Sequence, residues 1–135
     1  MKIKLTLIVV LISFMTLTPE ATARYGAIAY STGDDSFGVV GLTWNWKTRS
    51  SAISGAIREA RDQSDNGYLD GYKTYWWSHK GYNAAARGFS DDDMHVKVGW
   101  SYGWRTASGS INAALRKVNP YDYPVDRGYV YGFNR

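Results

Sequence analysis

The 135-residue chain contains no cysteine, three prolines and two histidines. Without cysteine it can form neither a disulfide scaffold nor a cysteine-ligated zinc site. Its 16 basic and 12 acidic residues leave a net charge of +4, too small and too dispersed for the basic stripe that nucleic-acid binding needs. The stability of a folded domain must therefore come from packing. Aromatic residues, 16% of the chain, are the obvious supply.

Only the N-terminus carries a long apolar run. Two lysines precede an apolar stretch over residues 5–17, Pro19 would end a helix, and Ala21-Thr22-Ala23 has the small-x-small pattern of a signal-peptidase site. The run is shorter than the roughly 20 residues that span a bilayer. We therefore predict a signal peptide over residues 1–23, cleaved after Ala23, and a secreted or periplasmic protein. Removing 23 of the 135 residues leaves 112, residues 24–135, for one domain.

The remainder of the chain is an internal repeat. Residues 25–60 align without gaps to residues 83–118, and 11 of these 36 positions are identical, where chance would supply roughly two or three. The identical pairs include Asp34/Asp92, Val40/Val98, Gly41/Gly99, Trp46/Trp104 and Thr48/Thr106. Two copies, over about residues 25–80 and 83–135, fill the domain.

Each copy has the pattern strand, hairpin loop, strand, helix, strand. Alternation predicts one strand face with Val40, Leu42, Trp44 and Trp46, and the equivalent face with Val98, Trp100, Tyr102 and Trp104. Helices with a narrow apolar stripe follow Thr48 and Thr106, which we predict as N-caps, with Ser50 or Ser51 as alternatives in the first copy. Third strands are predicted over residues 72–78 and 129–133. The expected fold class is α+β: two pseudo-repeated ββαβ units in a mainly antiparallel sheet, with two helices packed on its aromatic face.

The segments YGAIAYS, GLTWNW, GWSYGW and YNAAARG, with an Ala-rich helix capped by Thr or Ser, resemble the secreted bacterial family called domain of unknown function 4189. The resemblance covers nearly all of residues 25–133. Members usually carry cysteine at the helix ends and in the strands, whereas this chain has none. The resemblance implies a small extracytoplasmic module and supplies no catalytic residues.

Catalytic and metal-binding patterns are weak. His79 adjoins Ser78 on a predicted strand, so the two side chains would point to opposite faces and could not act as base and nucleophile. His95 follows the acidic run at residues 91–93, which is equivalent to Asp34-Asp35. These acidic clusters lack the alternating order of a calcium loop and are typical of turns. We expect no metal, no cofactor and no enzymatic activity.

The segment YKTYWWSHKGY is the most informative. Lys73, Tyr75 and Trp77 share one face of the predicted strand, and Trp76 points to the other. Both faces could be covered, or one could be exposed. We predict that this segment forms a partner-binding surface, because tryptophan, tyrosine and arginine contribute most of the binding energy at protein interfaces. The candidate residues are Lys73, Tyr75, Trp76, Trp77, Lys80 and Arg87.

These residues indicate a small exported binding module without catalytic activity. The first hypothesis is a protein partner, as for an inhibitor or immunity protein. A second is binding to a cell-wall glycan or peptidoglycan, because indole and phenol rings also stack on sugars. A third is a small hydrolase using His79 or His95. We expect no nucleic-acid partner and a monomer or a homodimer, since an edge strand could pair with a second copy.

Overall fold

The computed structural model of the protein describes residues 23–32, 38–89, 96–118 and 126–135. The elements in chain order are β1 (Tyr25–Ser31), β2 (Val40–Trp46), α1 (Arg49–Gln63), β3 (Tyr72–Trp77), β4 (Gly81–Phe89), β5 (Val96–Trp104), α2 (Ala107–Val118) and β6 (Asp126–Asn134). Residues 1–22 of the predicted signal peptide, His95 and both acidic clusters lie outside the described residues.

The strands form two three-stranded antiparallel sheets. Sheet 1 has the order β2-β1-β3 and sheet 2 the order β5-β4-β6, so the first strand of each unit is central in its sheet. Both units therefore have the same ββαβ topology, with one helix on one face of each sheet. The predicted α+β class and the repeated ββαβ units are confirmed.

Small residues bring each helix close to its sheet. Ala27 and Ala29 of β1 pack on a row of α1 alanines, while Ala84 and Ala86 of β4 pack on Ala114 of α2. The second strands contribute glycine at equivalent positions. A Cβ at Gly41 would lie 1.9 Å from the Ala56 carbonyl oxygen, and one at Gly99 would lie 2.3 Å from that of Ala114. The helix backbone thus occupies the space of a side chain.

The opposite faces of the two sheets form a second core. Ile28, Leu42 and Trp77 of sheet 1 pack with Ala85 of sheet 2, and the partly buried Trp100 packs against this cluster. The aromatic side chains expected against the helices lie largely here instead. The physical reason is close approach, since an alanine and glycine face admits a helix backbone and larger rings need the wider space between sheets.

A bulge near the end of each second strand changes which face its last tryptophan occupies. The β1–β2 register shifts between Tyr25 and Ala27, and Asn45 has a φ of 62°. In the other unit the equivalent register shift accompanies Gly103 with a φ of 74°. Asparagine and glycine are the residues that adopt this backbone conformation at least cost.

Because the bulge inserts one residue, the alternation beyond it is reversed. Trp46 packs against Gly55 of α1, and Trp104 lies against Gly109 of α2. Both tryptophans therefore belong to the helix side of their sheets. The prediction that Trp46 shares a face with Val40, Leu42 and Trp44, and Trp104 with Trp100, is wrong for this reason.

Strand pairing also refines the internal alignment. Tyr30 pairs with Val40, ten positions later, whereas Arg87 pairs with Val98, eleven positions later. The chain between equivalent paired positions is thus one residue longer in the second unit, and the first strands match at an offset of 57, not 58. In this alignment the identical pairs are Tyr25/Tyr82, Ala27/Ala84 and Ala29/Ala86, and Tyr30 is equivalent to Arg87.

The predicted N-caps are present in both helices. The Thr48 hydroxyl accepts a hydrogen bond from the Ser51 amide at 3.2 Å, and the Thr106 hydroxyl accepts one from the Gly109 amide at 3.1 Å. Each cap satisfies one of the amide groups left without a partner in the first turn.

Asn134, the last residue of β6, connects the two units. Its side chain is fully buried. Its Nδ2 donates to the carbonyl oxygens of Arg24 and His79, at 2.9 and 3.0 Å, and its Oδ1 accepts from the amide of Asn45 at 2.9 Å. The end of β6 is thereby hydrogen-bonded to the residue before β1, to the bulge of β2 and to the connection between β3 and β4.

Candidate functional site

Each helix packs mainly on two of the three strands of its sheet. Helix α1 packs mainly on β1 and β2, and α2 packs mainly on β4 and β5. The helix-side faces of β3 and β6 are consequently left more open. Both carry aromatic residues that are exposed.

On β3 these residues form what we call the Trp76 surface, defined as Tyr25, Arg49, Tyr72 and Trp76. Trp76 is 45% exposed and Tyr72 is 46% exposed. The Trp76 ring lies 6.1 Å from the ring of Tyr25, and the guanidinium carbon of Arg49 lies 4.8 Å from its centroid. This distance permits a cation–π interaction, which holds the indole in a defined orientation while one side stays in solvent.

On β6 a second group of rings occupies the equivalent position. We call it the Tyr131 surface, defined as Tyr82, Tyr129, Tyr131 and Phe133. The rings of Tyr129 and Tyr131 are 6.5 Å apart, and Phe133 lies edge-on to Tyr82 at 4.9 Å. Tyr131 pairs with Ala84 as Trp76 pairs with Ala27, so Tyr131 is the structural counterpart of Trp76.

The outer edges of the two sheets differ in how their backbone groups are satisfied. On β2, Gln63 accepts from the Val40 amide and donates to the Val40 carbonyl, and Glu59 accepts from the Leu42 amide. On β5, Lys117 donates to the Trp100 carbonyl. Strands β3 and β6 form the other edge of each sheet, and no further strand of the described residues lies beside them. An extended segment could therefore pair with these two strands.

The structure does not gather the six predicted partner-binding residues into one patch. Trp77 is 2% exposed and stacks on Tyr102, with ring centroids 5.3 Å apart, so it belongs to the core. Tyr75 faces sheet 2 and stacks on Trp100 at 4.8 Å, although it is 47% exposed at the rim. Only Trp76 lies on the open helix-side face.

The charged members of that set are also dispersed. Lys73 lies on the same face of β3 as Tyr75, and Lys80 is exposed in the connection to β4. Arg87 lies on β4 of the other sheet, where its Nη1 donates to the Gly38 carbonyl at 3.3 Å.

Sequence reasoning missed Tyr25 and Arg49 as neighbours of Trp76. Tyr25 is some 50 positions away in the chain, and only the pairing of β1 with β3 brings it near Trp76. Arg49 begins α1 and reaches Trp76 because the helix lies across the sheet. The one feature of the sequence that could have drawn attention to Arg49 is its position directly after the predicted N-cap, Thr48.

The described residues show no catalytic arrangement around His79. The histidine is exposed in the connection after β3, and its ring lies 5.2 Å from Tyr102. No described hydroxyl is hydrogen-bonded to its ring nitrogens. Within residues 23–32, 38–89, 96–118 and 126–135 there is no cluster of His, Asp or Glu that could hold a metal ion.

None of the helices in the described part of the chain is long and apolar enough to cross a membrane. Comparisons with family models, with curated proteins and with solved structures find no match to this chain.

Proposed function

We propose that this protein is an exported binding module without catalytic activity, which recognises a protein partner through the Trp76 surface. The observation that carries the proposal is the grouping of Trp76, Tyr25 and Arg49. Tryptophan, tyrosine and arginine are the residue types most enriched among those that dominate interface energies. Here the three are held together while Trp76 remains 45% exposed.

The open outer edge of β3 adds a mode of binding. An extended segment of the partner would pair with the β3 backbone, and alternate side chains of that segment would lie against Trp76 and Tyr72. Backbone pairing of this kind requires a polypeptide. A role as inhibitor of, or immunity protein against, a secreted or envelope enzyme fits a small module that acts by occupying a surface. Export by the predicted signal peptide, and membership of the family named domain of unknown function 4189, are part of this proposal.

The test compares two variants at structurally equivalent positions. Purified wild-type protein, Trp76→Ala and Tyr131→Ala are immobilised and exposed to envelope extract, and bound proteins are identified by mass spectrometry. We expect one specific partner with wild type and with Tyr131→Ala. Its affinity for Trp76→Ala should fall roughly tenfold or more. The proposal is refuted if all three capture the same proteins equally, or if none captures a specific protein.

A second candidate function is supported by the Tyr131 surface. Four aromatic side chains on neighbouring strands offer rings on which sugars could stack, and Tyr129 and Tyr131 are 57% and 48% exposed. The same variants test binding to a cell-wall glycan by sedimentation with purified peptidoglycan sacculi. Loss of sedimentation for Tyr131→Ala and not for Trp76→Ala would favour the glycan, whereas no sedimentation of the wild type would exclude it.

A further inference from the structure

A small cavity opens between the two sheets, away from the Trp76 surface and beside Tyr129, one residue of the Tyr131 surface. Its volume is about 260 Å³. The walls are built by β2, α1, β4 and β6. Residues that line it include Val40, Gln63, Ala85, Arg87, Gly128 and Val130.

The internal repeat explains why this space is open. Strand pairing makes Val130 equivalent to Tyr75, Gly128 to Lys73 and Ala85 to Ile28. In each of these pairs the residue at the cavity is the smaller one.

At the equivalent end of the interface the chain's own rings fill the space. The Trp100 ring contacts two tyrosines of sheet 1, with centroids 4.8 Å from Tyr75 and 5.6 Å from Tyr30. The counterpart of Trp100 in the other unit is Leu42, which has no ring. The cavity thus lies at the end of the interface between the sheets that has no equivalent aromatic stack.

One wall of the cavity carries a positive charge. Arg87 replaces the tyrosine found at the equivalent position, and its Nη1 bonds to the Gly38 carbonyl, which orients the guanidinium. A guanidinium has five N–H donors in a fork that matches the two oxygens of a carboxylate. Gln63 bonds both backbone groups of Val40 and so fixes the opposite wall.

We propose that this cavity binds a small aromatic carboxylate, with its ring between Val40 and Val130 and its carboxylate on Arg87. The volume suits one ring and a short chain, because a cavity of about 150 Å³ is enough for benzene and drug-sized ligands need about 300 Å³ or more. The inference is independent of the partner proposed for the Trp76 surface.

The experiment uses 3-phenylpropanoate as the probe, titrated into ¹⁵N-labelled protein and followed by amide chemical shifts. We expect saturable shifts at Val40, Ala85 and Gly128. Two reference compounds separate the contributions of ring and charge. 3-Phenylpropan-1-ol keeps the ring without the carboxylate, and propanoate keeps the carboxylate without the ring. Each should bind roughly tenfold more weakly or worse.

Two kinds of variant complete the test. Arg87→Gln should weaken 3-phenylpropanoate roughly tenfold and leave the alcohol unchanged, whereas Arg116→Gln, on an exposed helix position, should change neither. Val130→Tyr restores the ring present in the other unit and should abolish binding. If that variant does not fold, Ala85→Ile restores a smaller counterpart and should also abolish it.

The proposal is overturned if 3-phenylpropanoate gives no saturable shifts, if the shifts lie elsewhere, or if the alcohol binds as tightly as the acid. Equal affinity of Arg87→Gln and wild type would overturn it as well.

Discussion

Two fully buried asparagines offer a direct test of how this fold is held together. Asn134 and Asn83 are both 0% exposed, and both lie on strands of sheet 2. Asn134 makes three hydrogen bonds to backbone groups of Arg24, Asn45 and His79. The side-chain amide of Asn83 has no hydrogen-bond partner among the described residues. Replacing each by alanine therefore removes the same atoms, in one case from a hydrogen-bonded side chain and in the other from an unpaired one.

The magnitudes follow from the hydrogen bonds. A buried hydrogen bond contributes about 1 kcal/mol net, and a buried group left without its partner costs more, so Asn134→Ala should lower the free energy of unfolding by about 3 kcal/mol. In a domain of this size that lowers Tm by on the order of 10 °C. Asn83→Ala leaves a small cavity, which is destabilising. It also removes an unpaired buried amide, and this second effect should raise the free energy of unfolding by about 1–3 kcal/mol. We expect its stability to lie within about 1 kcal/mol of wild type.

Urea unfolding followed by tryptophan fluorescence, together with thermal unfolding, measures both variants. Asn112→Ala, at an exposed position of α2, serves as the control for the loss of an asparagine side chain and should change little. Equal destabilisation by Asn134→Ala and Asn83→Ala would refute the reasoning. So would a loss of less than about 1 kcal/mol for Asn134→Ala, because the three bonds could not then be joining the two units.

Three further predictions concern local features. Gly41→Ala should cost about 2 kcal/mol, since its Cβ would lie 1.9 Å from the Ala56 carbonyl oxygen; urea unfolding checks this. Thr48→Ala should lower the free energy of unfolding by about 1 kcal/mol, because it removes the N-cap hydrogen bond. Thermal unfolding measures this, and a clearly smaller loss of stability would contradict the capping role of Thr48. Burial, and secondly the phenol of Tyr75, raises the pKa of Tyr30 above its usual value. The neutral phenol is then favoured in the folded state, so its stabilising effect is complete below about pH 10 and is lost as pH rises through the higher folded pKa. Tyr30→Phe should therefore show a shallower decline of Tm above about pH 10 than wild type; equal slopes would contradict it.

Local patterns predicted the individual elements well. Both helices begin after the threonines expected to cap them, because the N-cap interaction depends on a hydroxyl and an amide three positions apart. The third strands begin at or before the expected positions, with β3 at Tyr72–Trp77 and β6 at Asp126–Asn134. Alternation failed only beyond the bulges at Asn45 and Gly103, where an inserted residue reverses the faces and neither residue type is specific to a bulge.

The candidate sites were less predictable than the elements. Trp76 and Trp77 are neighbours of the same type, yet one is 45% exposed and the other 2%. Alternation predicted that they point to opposite faces, but which face is open depends on how far α1 reaches across sheet 1. The cavity beside Arg87 could not be predicted either, since it depends on which residues of the two units face each other across the sheets.

By itself the sequence determined the repeat, the α+β class and the caps, because these depend on residue spacing within about 60 positions of the chain. The tertiary structure alone decided that the strands divide between two sheets, that alanine faces receive the helices, and that rings lie between the sheets. It also decided that aromatic rings fill one end of the interface between the sheets, whereas a cavity remains at the other end. Such outcomes depend on the volumes of side chains that meet from distant parts of the chain, and spacing along the sequence carries no information about which volumes will meet.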